Sequence, residues 1–209
     1  ANMLTAMKNV DTLLRLTTNL INFSKANVYS SSLRISEHEL NTYMEGICHA
    51  FYSYAEAKQI KLDYKSNFEY QNVWFDKEKM DSITKNLISN AIKYTPAHGE
   101  VHIIICHDKD NWSLEITDTG IGIPAKEQKK LFKLHFRGSN AINAKITGSG
   151  IGLMLVWKLV RIHKGKISIE SVENKGTRVK VIFPQKQFRN QQVPTETVQQ
   201  ENVAPVSPS

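Results

Sequence analysis

The chain has 209 residues, 41% of them hydrophobic, a net charge of +7 and two cysteines. That is length for one ordinary domain with extensions and enough apolar content for a true core. It excludes a disulfide-built scaffold, and Cys48 and Cys106, both inside apolar strings, read as reduced core thiols.

No stretch approaches the roughly 20 apolar residues that a membrane helix requires, and no charged-then-apolar leader opens the chain. The first residue is Ala1 rather than Met, so we expect an excised piece of a longer protein. The positive charge favours an anionic partner but does not choose among nucleotide, acidic protein and nucleic acid.

Residues 3–26 read as one long amphipathic helix, with Met3, Met7, Val10, Leu14, Thr17 and Ile21 on one line and Leu13, Leu16, Leu20 and Phe23 on a second. An apolar face that wide suits a helical bundle completed by dimerisation, or a helix packed on its own domain. "VYSSSLRIS" (28–36) reads as a linker and strand, and a helix is predicted over 37–58. Strands are predicted in "QIKLDY", where Ile60, Leu62 and Tyr64 alternate, and in "NVWFD" (72–76). A helix over 77–94 follows, then strands over 101–106, 112–116, 166–171 and 178–183.

Between the second and third of these strands lies a long loop, 119–149, followed by a helix over 150–163. The pattern predicts an α+β fold, a two-layer α/β sandwich of one mixed sheet with helices on a single face. From Gln185 to Ser209 the chain holds six Gln and three Pro with almost no apolar cluster, the composition of a disordered linker.

Two asparagines one turn apart stand out in the helix "KNLISNAIKYT" (85–95), because Asn86 and Asn90 are mediocre helix formers. Two glycine motifs follow. "DTGIGIP" (118–124) leaves a strand directly, and "GSGIGL" (148–153) opens a helix whose free amides suit a phosphate. Neither is a dinucleotide fingerprint, and no P-loop or protein Ser/Thr/Tyr kinase signature occurs.

Taken in order, the Asn-rich helix, the D-x-G-x-G turn, a Phe-bearing loop and the G-x-G-x-G helix start closely resemble the nucleotide-binding domain of sensor histidine kinases. That domain has a Bergerat-type fold shared with DNA gyrase. The resemblance spans residues 33–184, with "NLISNAIKYTP" as its N box, "DTGIGIP" as G1, "LFKLHFRG" as F and "GSGIGL" as G2. It implies three parts: the second helix of a dimerisation hairpin (1–27), an ATP-binding catalytic domain (28–184) and a linker (185–209).

The resemblance also implies roles for single residues. Asn90 would give an amide oxygen to Mg²⁺, a hard cation that combines few protein oxygens with phosphate oxygens. Asn86 would line the γ-phosphate side, with Lys93 and Arg137 as phosphate-contacting cations. Tyr94 would flank the ribose or base, Asp118 would accept from the adenine amine, and Thr177 would lie near the adenine. Gly120, Gly122, Ile123, Gly148, Gly150, Ile151, Gly152 and Leu153 would line the nucleotide. The loop around 125–147 resembles the family's ATP lid.

Hydrolytic members of the superfamily carry Glu where this chain carries Asn86. An amide is no general base, so hydrolysis should be poor and ATP kept for an imidazole acceptor. The family places that histidine on the first hairpin helix, in a motif this chain lacks. His38 in "EHEL" has neither the basic residue nor the proline and reads as an exposed helix residue. His98, His102, His107, His135 and His163 lack an acceptor context too.

The resemblance further implies a homodimer through the hairpin, a response regulator or receiver domain as partner, and a cytoplasmic site joined to a membrane only by upstream segments. The Gln/Pro tail would fit a hybrid kinase. The alternatives are a nucleotide-binding regulatory module or a hydrolytic ATPase of the same superfamily. The scattered lysines argue against a nucleic-acid binder.

Overall fold

The structure, a computed structural model, describes residues 32–133, 136, 138–144, 146 and 150–185. The helix expected over 3–26 and the tail 186–209 lie outside the described residues.

The elements run in chain order as β1 (Ser36–Glu39), α1 (Leu40–Ala57), β2 (Lys61–Ser66), β3 (Asn72–Phe75), α2 (Lys77–Tyr94), β4 (Glu100–His107), β5 (Asn111–Asp118), α3 (Ala125–Gln128), α4 (Ser139–Asn143), α5 (Gly152–Ile162), β6 (Lys166–Val172) and β7 (Gly176–Pro184). Five strands form a mixed sheet in the order β2-β4-β5-β7-β6. β2 and β4 are parallel and the other pairs antiparallel.

Alternation along β5 turns Trp112, Leu114 and Ile116 toward the helices. Register then sets Trp112 opposite Phe183 and Leu114 opposite Val181, both buried. Trp112 stacks on Phe183 with centroids 4.6 Å apart and leans on Phe75 at 5.9 Å. Each such aromatic pair adds about 0.5–1.5 kcal/mol beyond its buried area. α2 lays Met80, Ile83, Leu87, Ile88, Ala91 and Ile92 on this layer.

The expectation of a single sheet needs one correction. β3 leaves the main sheet and pairs antiparallel with β1, His38 opposite Val73. Val73 and Phe75 still point into the core. The helix predicted to start at residue 37 begins at Leu40, because the Glu39 carboxylate caps it by accepting from the amides of Asn41 and Thr42.

His38 is therefore a strand residue, half-buried and stacked on Phe75 at 4.6 Å, rather than an exposed helix residue. The folded body also continues one residue beyond the expected boundary. Gln185 is 4% exposed, its side-chain oxygen accepts from the Trp74 amide, and its own amide donates to Asp110.

The start of α2 is a buried polar knot. Asp76 caps the helix by accepting from the Lys79 amide, and Lys79 Nζ donates to its Oδ2 at 2.5 Å. The Arg34 amide donates to the same oxygen, and Lys79 Nζ also donates to the Ser32 carbonyl. His163, at the end of α5, accepts from the Asp76 amide through Nε2 and donates through Nδ1 to the Leu159 carbonyl. Asp76, Lys79 and His163 are 3%, 4% and 1% exposed. The entering chain, α2 and α5 are thus tied at one point.

Candidate functional site

The Asp118 carboxylate ends β5 on the core face of the sheet, 8% exposed. Its Oδ1 accepts from the amides of Gly120 at 2.8 Å and Thr177 at 3.2 Å. Oδ2 takes no hydrogen bond among the described residues. Burial pushes the carboxyl up to about 6, against the two amides, which pull it down. Thr177 lies directly opposite in the β5–β7 ladder and shares a hydroxyl hydrogen bond with Ser171.

The turn after Asp118 packs on the end of α2, where the Ile121 amide donates to the Tyr94 carbonyl. Gly122 has φ +62, and a Cβ there would lie 2.0 Å from the Val172 carbonyl oxygen, so only glycine fits. Ile123 follows, its carbonyl accepting from the Gln128 side chain.

α2 ends for clear reasons. The Thr95 hydroxyl donates back to Ala91, Pro96 follows, and Lys58 Nζ donates to the carbonyls of Ile92 and Lys93. Lys93 Nζ sits 4.6 Å over the Tyr94 ring and donates to its hydroxyl, so the two form one cationic, aromatic edge.

One turn apart on the same helix, Asn86 and Asn90 are both half-buried. The Asn86 side chain donates to the Ser82 carbonyl at 2.7 Å, whereas the Asn90 side chain makes no hydrogen bond among the described residues. α5 meets α2 at Asn86. A Cβ on Gly152 would lie 2.6 Å from Asn86 Oδ1, so glycine lets the helix start close in. No side chain caps α5, which leaves its opening amides without helical partners. Gly150, Ile151 and Leu153 stand at that opening, with Ile151 buried.

From Tyr94 back to Asn86, α2 rises about 12 Å, the scale of an extended nucleoside triphosphate. A buried carboxylate stands near one end and the start of α5 at the other. Contacts join Tyr94 to Lys93, Gly120 and Ile121, Asp118 to Gly120 and Thr177, and Asn86 to Gly152, whereas Gly122 and Ile123 pack toward Val172 and Gln128, and Asn90, Gly150, Ile151 and Leu153 stand on α2 or at the start of α5. Arg137 and Gly148 lie outside the described residues.

Sequence reasoning missed Lys58, Gln128 and Asn140. Asn140 donates through Nδ2 to the carbonyls of Ile121 and Gly122. None of the three sits in a recognisable motif, because each acts on backbone carbonyls distant in sequence.

No helix among the described residues is long and apolar enough to cross a membrane. A family model described as "Histidine kinase-, DNA gyrase B-, and HSP90-like ATPase" matches residues 75–187. The circadian input-output histidine kinase CikA of Synechocystis sp. is 29% identical over 188 residues, 89% of this chain and 25% of the relative. The sensor histidine kinase WalK of Bacillus subtilis is 35% identical over 117 residues, 55% of this chain and 19% of the relative. The chain spans a quarter or less of the first curated relatives it matches, 25%, 13% and 24% of their lengths.

Among solved structures, histidine kinase ThkA in complex with the response regulator TrrA has a TM-score of 0.65 at 23% identity, with 84% of this chain and 49% of that chain covered. Full-length ShkA in complex with AMPPNP has a TM-score of 0.75 at 19% identity, with 88% of this chain and 38% of that chain covered. At such identities the structural likeness bears on the fold alone. With its family model matching more than half of the chain, the protein belongs to the histidine kinase-, DNA gyrase B- and HSP90-like ATPase family, and it carries an ATP-binding domain of the sensor histidine kinase type.

Proposed function

We propose that the chain binds Mg-ATP and presents its γ-phosphoryl group to a histidine on a dimerisation hairpin. Residues 3–26 would be the second helix of that hairpin. The observation that carries this reading is Asp118, a carboxylate 8% exposed with no cation on it and one oxygen unengaged among the described residues. A buried polar group left in that state calls for a ligand. The exocyclic amine of adenine supplies the missing donor. Guanine presents a carbonyl there and would face a carboxylate.

The rest of the edge follows from that anchor. Tyr94 and Thr177 flank the base, and Lys93 and Arg137 contact the phosphates. The opening amides of α5 favour their negative charge. The uncommitted Asn90 amide fits a divalent ion, and bound Mg²⁺ would neutralise phosphate charge there. Among the described residues no group of three His, Cys, Asp or Glu is placed to hold a metal. The ion would therefore take most of its oxygens from phosphates and water.

Transfer forms a P–N bond to a neutral imidazole and breaks the bond between the γ-phosphorus and the bridging oxygen, releasing ADP. This chain's share is positioning and charge stabilisation. Asn86 is an amide already committed to Ser82, so no base stands at its place to activate water, which disfavours the hydrolytic ATPase reading. Homodimerisation through the hairpin, a response regulator or receiver domain as partner and a cytoplasmic position belong to the same proposal. A receiver domain after the Gln/Pro tail would make the whole protein a hybrid kinase.

Calorimetry of ATP and GTP with Mg²⁺ tests the site. The unsubstituted chain is expected to prefer ATP. Asp118→Asn should weaken it about 10- to 100-fold, the cost of replacing a paired acceptor by a donor, and Asn90→Ala should remove the Mg²⁺ dependence. Absence of binding by the unsubstituted chain, or equal binding of GTP, overturns the reading.

A further inference from the structure

The turn that bears Gly120 and Gly122 is held by the β6–β7 turn, where the Asn174 amide donates to the Ile121 carbonyl at 2.8 Å, and from two further sides. On one side it is tied to the helix end that flanks the base, through the Ile121 amide on the Tyr94 carbonyl at 3.1 Å. On the other it meets the loop segment that precedes α5, and among the described residues the contact there is a single side chain. Asn140 Nδ2 donates to the Gly122 carbonyl at 2.9 Å and to the Ile121 carbonyl at 3.3 Å. Its Oδ1 accepts from the Ala141 amide at 2.9 Å, so the nitrogen and the oxygen of the amide are both engaged.

Neighbouring contacts brace the segment rather than the turn. Glu127 accepts from the Ser139 amide at 2.9 Å, which ties α3 to α4. Gln128 donates to the carbonyls of Ile123 and Ser171, which ties α3 to the strand edge beyond the turn. Among the described residues, Asn140 alone spans α4 and the carbonyls that follow Asp118 and Gly120.

We infer that Asn140 is a positioning residue for nucleotide binding: its amide registers the 139–143 segment against the glycine turn and so holds the adenine end of the site in its binding shape. The inference rests on the nucleotide reading of that site. Nothing in the motifs marks Asn140, which lies 18 residues from Gly122 and acts only on main-chain oxygens. Its chemistry is nonetheless specific. The Ile121 carbonyl already accepts from the Asn174 amide at 2.8 Å, so the Asn140 amide adds a second donor there and, among the described residues, supplies the donor on Gly122.

Two substitutions separate this role from simple capping of α4. Asn140→Ala removes donors and acceptor. Asn140→Asp keeps the acceptor for the Ala141 amide but sets a carboxylate against two carbonyl oxygens. Three readouts are taken on the 209-residue chain: trypsin cleavage at Lys126, Lys129, Lys130 and Lys133 without nucleotide, affinity for Mg-ATP, and the midpoint of thermal unfolding.

Both variants are expected to be cleaved several-fold faster and to bind ATP about 5- to 30-fold more weakly, the scale of one or two lost hydrogen bonds. Asn140→Asp should be at least as impaired as Asn140→Ala. The unfolding midpoint should move little, because the segment lies outside the main core. An Asn140→Asp variant that matches the unsubstituted chain in cleavage would reduce Asn140 to a cap and overturn the inference. So would faster cleavage with unchanged ATP affinity. A chain that binds no ATP before substitution overturns the nucleotide reading instead, and cleavage still judges the contact between Asn140 and the turn.

Discussion

Burial holds the Asp118 carboxyl near pH 6, about two units above an ordinary aspartate, and the sign of its effect on stability follows. The folded, empty protein favours the neutral acid. Stability is fully present below the ordinary aspartate value near 3.8 and is lost as pH rises through about 6. At 1.36 kcal/mol per unit the loss is of order 3 kcal/mol. Asp118→Asn should therefore raise the unfolding midpoint at pH 8 and lose that advantage by pH 4, while weakening ATP binding at both. A destabilising effect of Asp118→Asn at pH 8 would contradict the assignment. Such a trade of stability for function is common where a site keeps a buried group ready for a ligand.

Asparagines 86 and 90 answer the oddity of two poor helix formers in one buried-facing helix. Asn86 satisfies itself on Ser82 and meets the start of α5, while Asn90 keeps its amide uncommitted among the described residues. Their spacing was plain in the sequence, and their difference in engagement was not. Which amide is used up depends on where α5 arrives, a tertiary matter.

α2 is tied into the molecule at both of its own ends. Its first turn holds the Asp76–Lys79 pair, which binds the entering chain through Arg34 and Ser32, and its last turn carries Lys93 and Tyr94. Lys79→Met leaves the Asp76 charge buried without its cation. Breaking one partner of such a pair costs about 3–5 kcal/mol. Urea unfolding should show that loss at pH 7, and a loss under about 1 kcal/mol would mean the pair is well hydrated.

Burial opposes ionisation of Asp76, but the hydrogen bonds from Lys79 and Arg34 outweigh it and hold the carboxyl below its ordinary value. The contribution of Asp76 is thus present at neutral pH and is lost as acid protonates it.

The bounds of α2 matched the predicted 77–94, because heptad-like apolar spacing and an aspartate cap are local signals. The start of α1 did not match, because the pairing of β1 with β3 claimed Glu37 and His38. Strand pairing between residues 33 to 39 apart leaves no mark in a window of one element's length.

On the scale of the whole molecule, the sheet shows charge on the face away from the helices. Arg178 reaches Glu115 and Glu170, Lys180 reaches Glu115, and Lys61 reaches Asp63. Exposed pairs of this kind add about 0–1 kcal/mol each, so register rests on the buried face. A ligand that binds only the folded chain stabilises it by mass action. Mg-ATP at about 100 times its Kd should add about 2.7 kcal/mol and raise the unfolding midpoint by roughly 5–10 °C. GTP at the same concentration should raise it far less. Scanning calorimetry with each nucleotide reads this directly, and equal shifts would refute selection by Asp118.

The sequence by itself determined the alternating strands, the amphipathic helices and the ordered N, G1, F and G2 motifs, because each depends on residues within one element or one turn. Asp118 was legible as a candidate because the D-x-G-x-G turn it opens at the end of a strand resembles the family's G1 motif. Only the tertiary structure decided that β3 leaves the main sheet, that Asp76, Lys79 and His163 form one buried knot, and that Lys58 closes α2. It alone showed that Asn140 reaches the glycine turn. The physical reason is shared by nearly all of them: apart from the Asp76–Lys79 ion pair, these contacts end on backbone amides and carbonyls, which every residue possesses, so no choice of partner side chain records them.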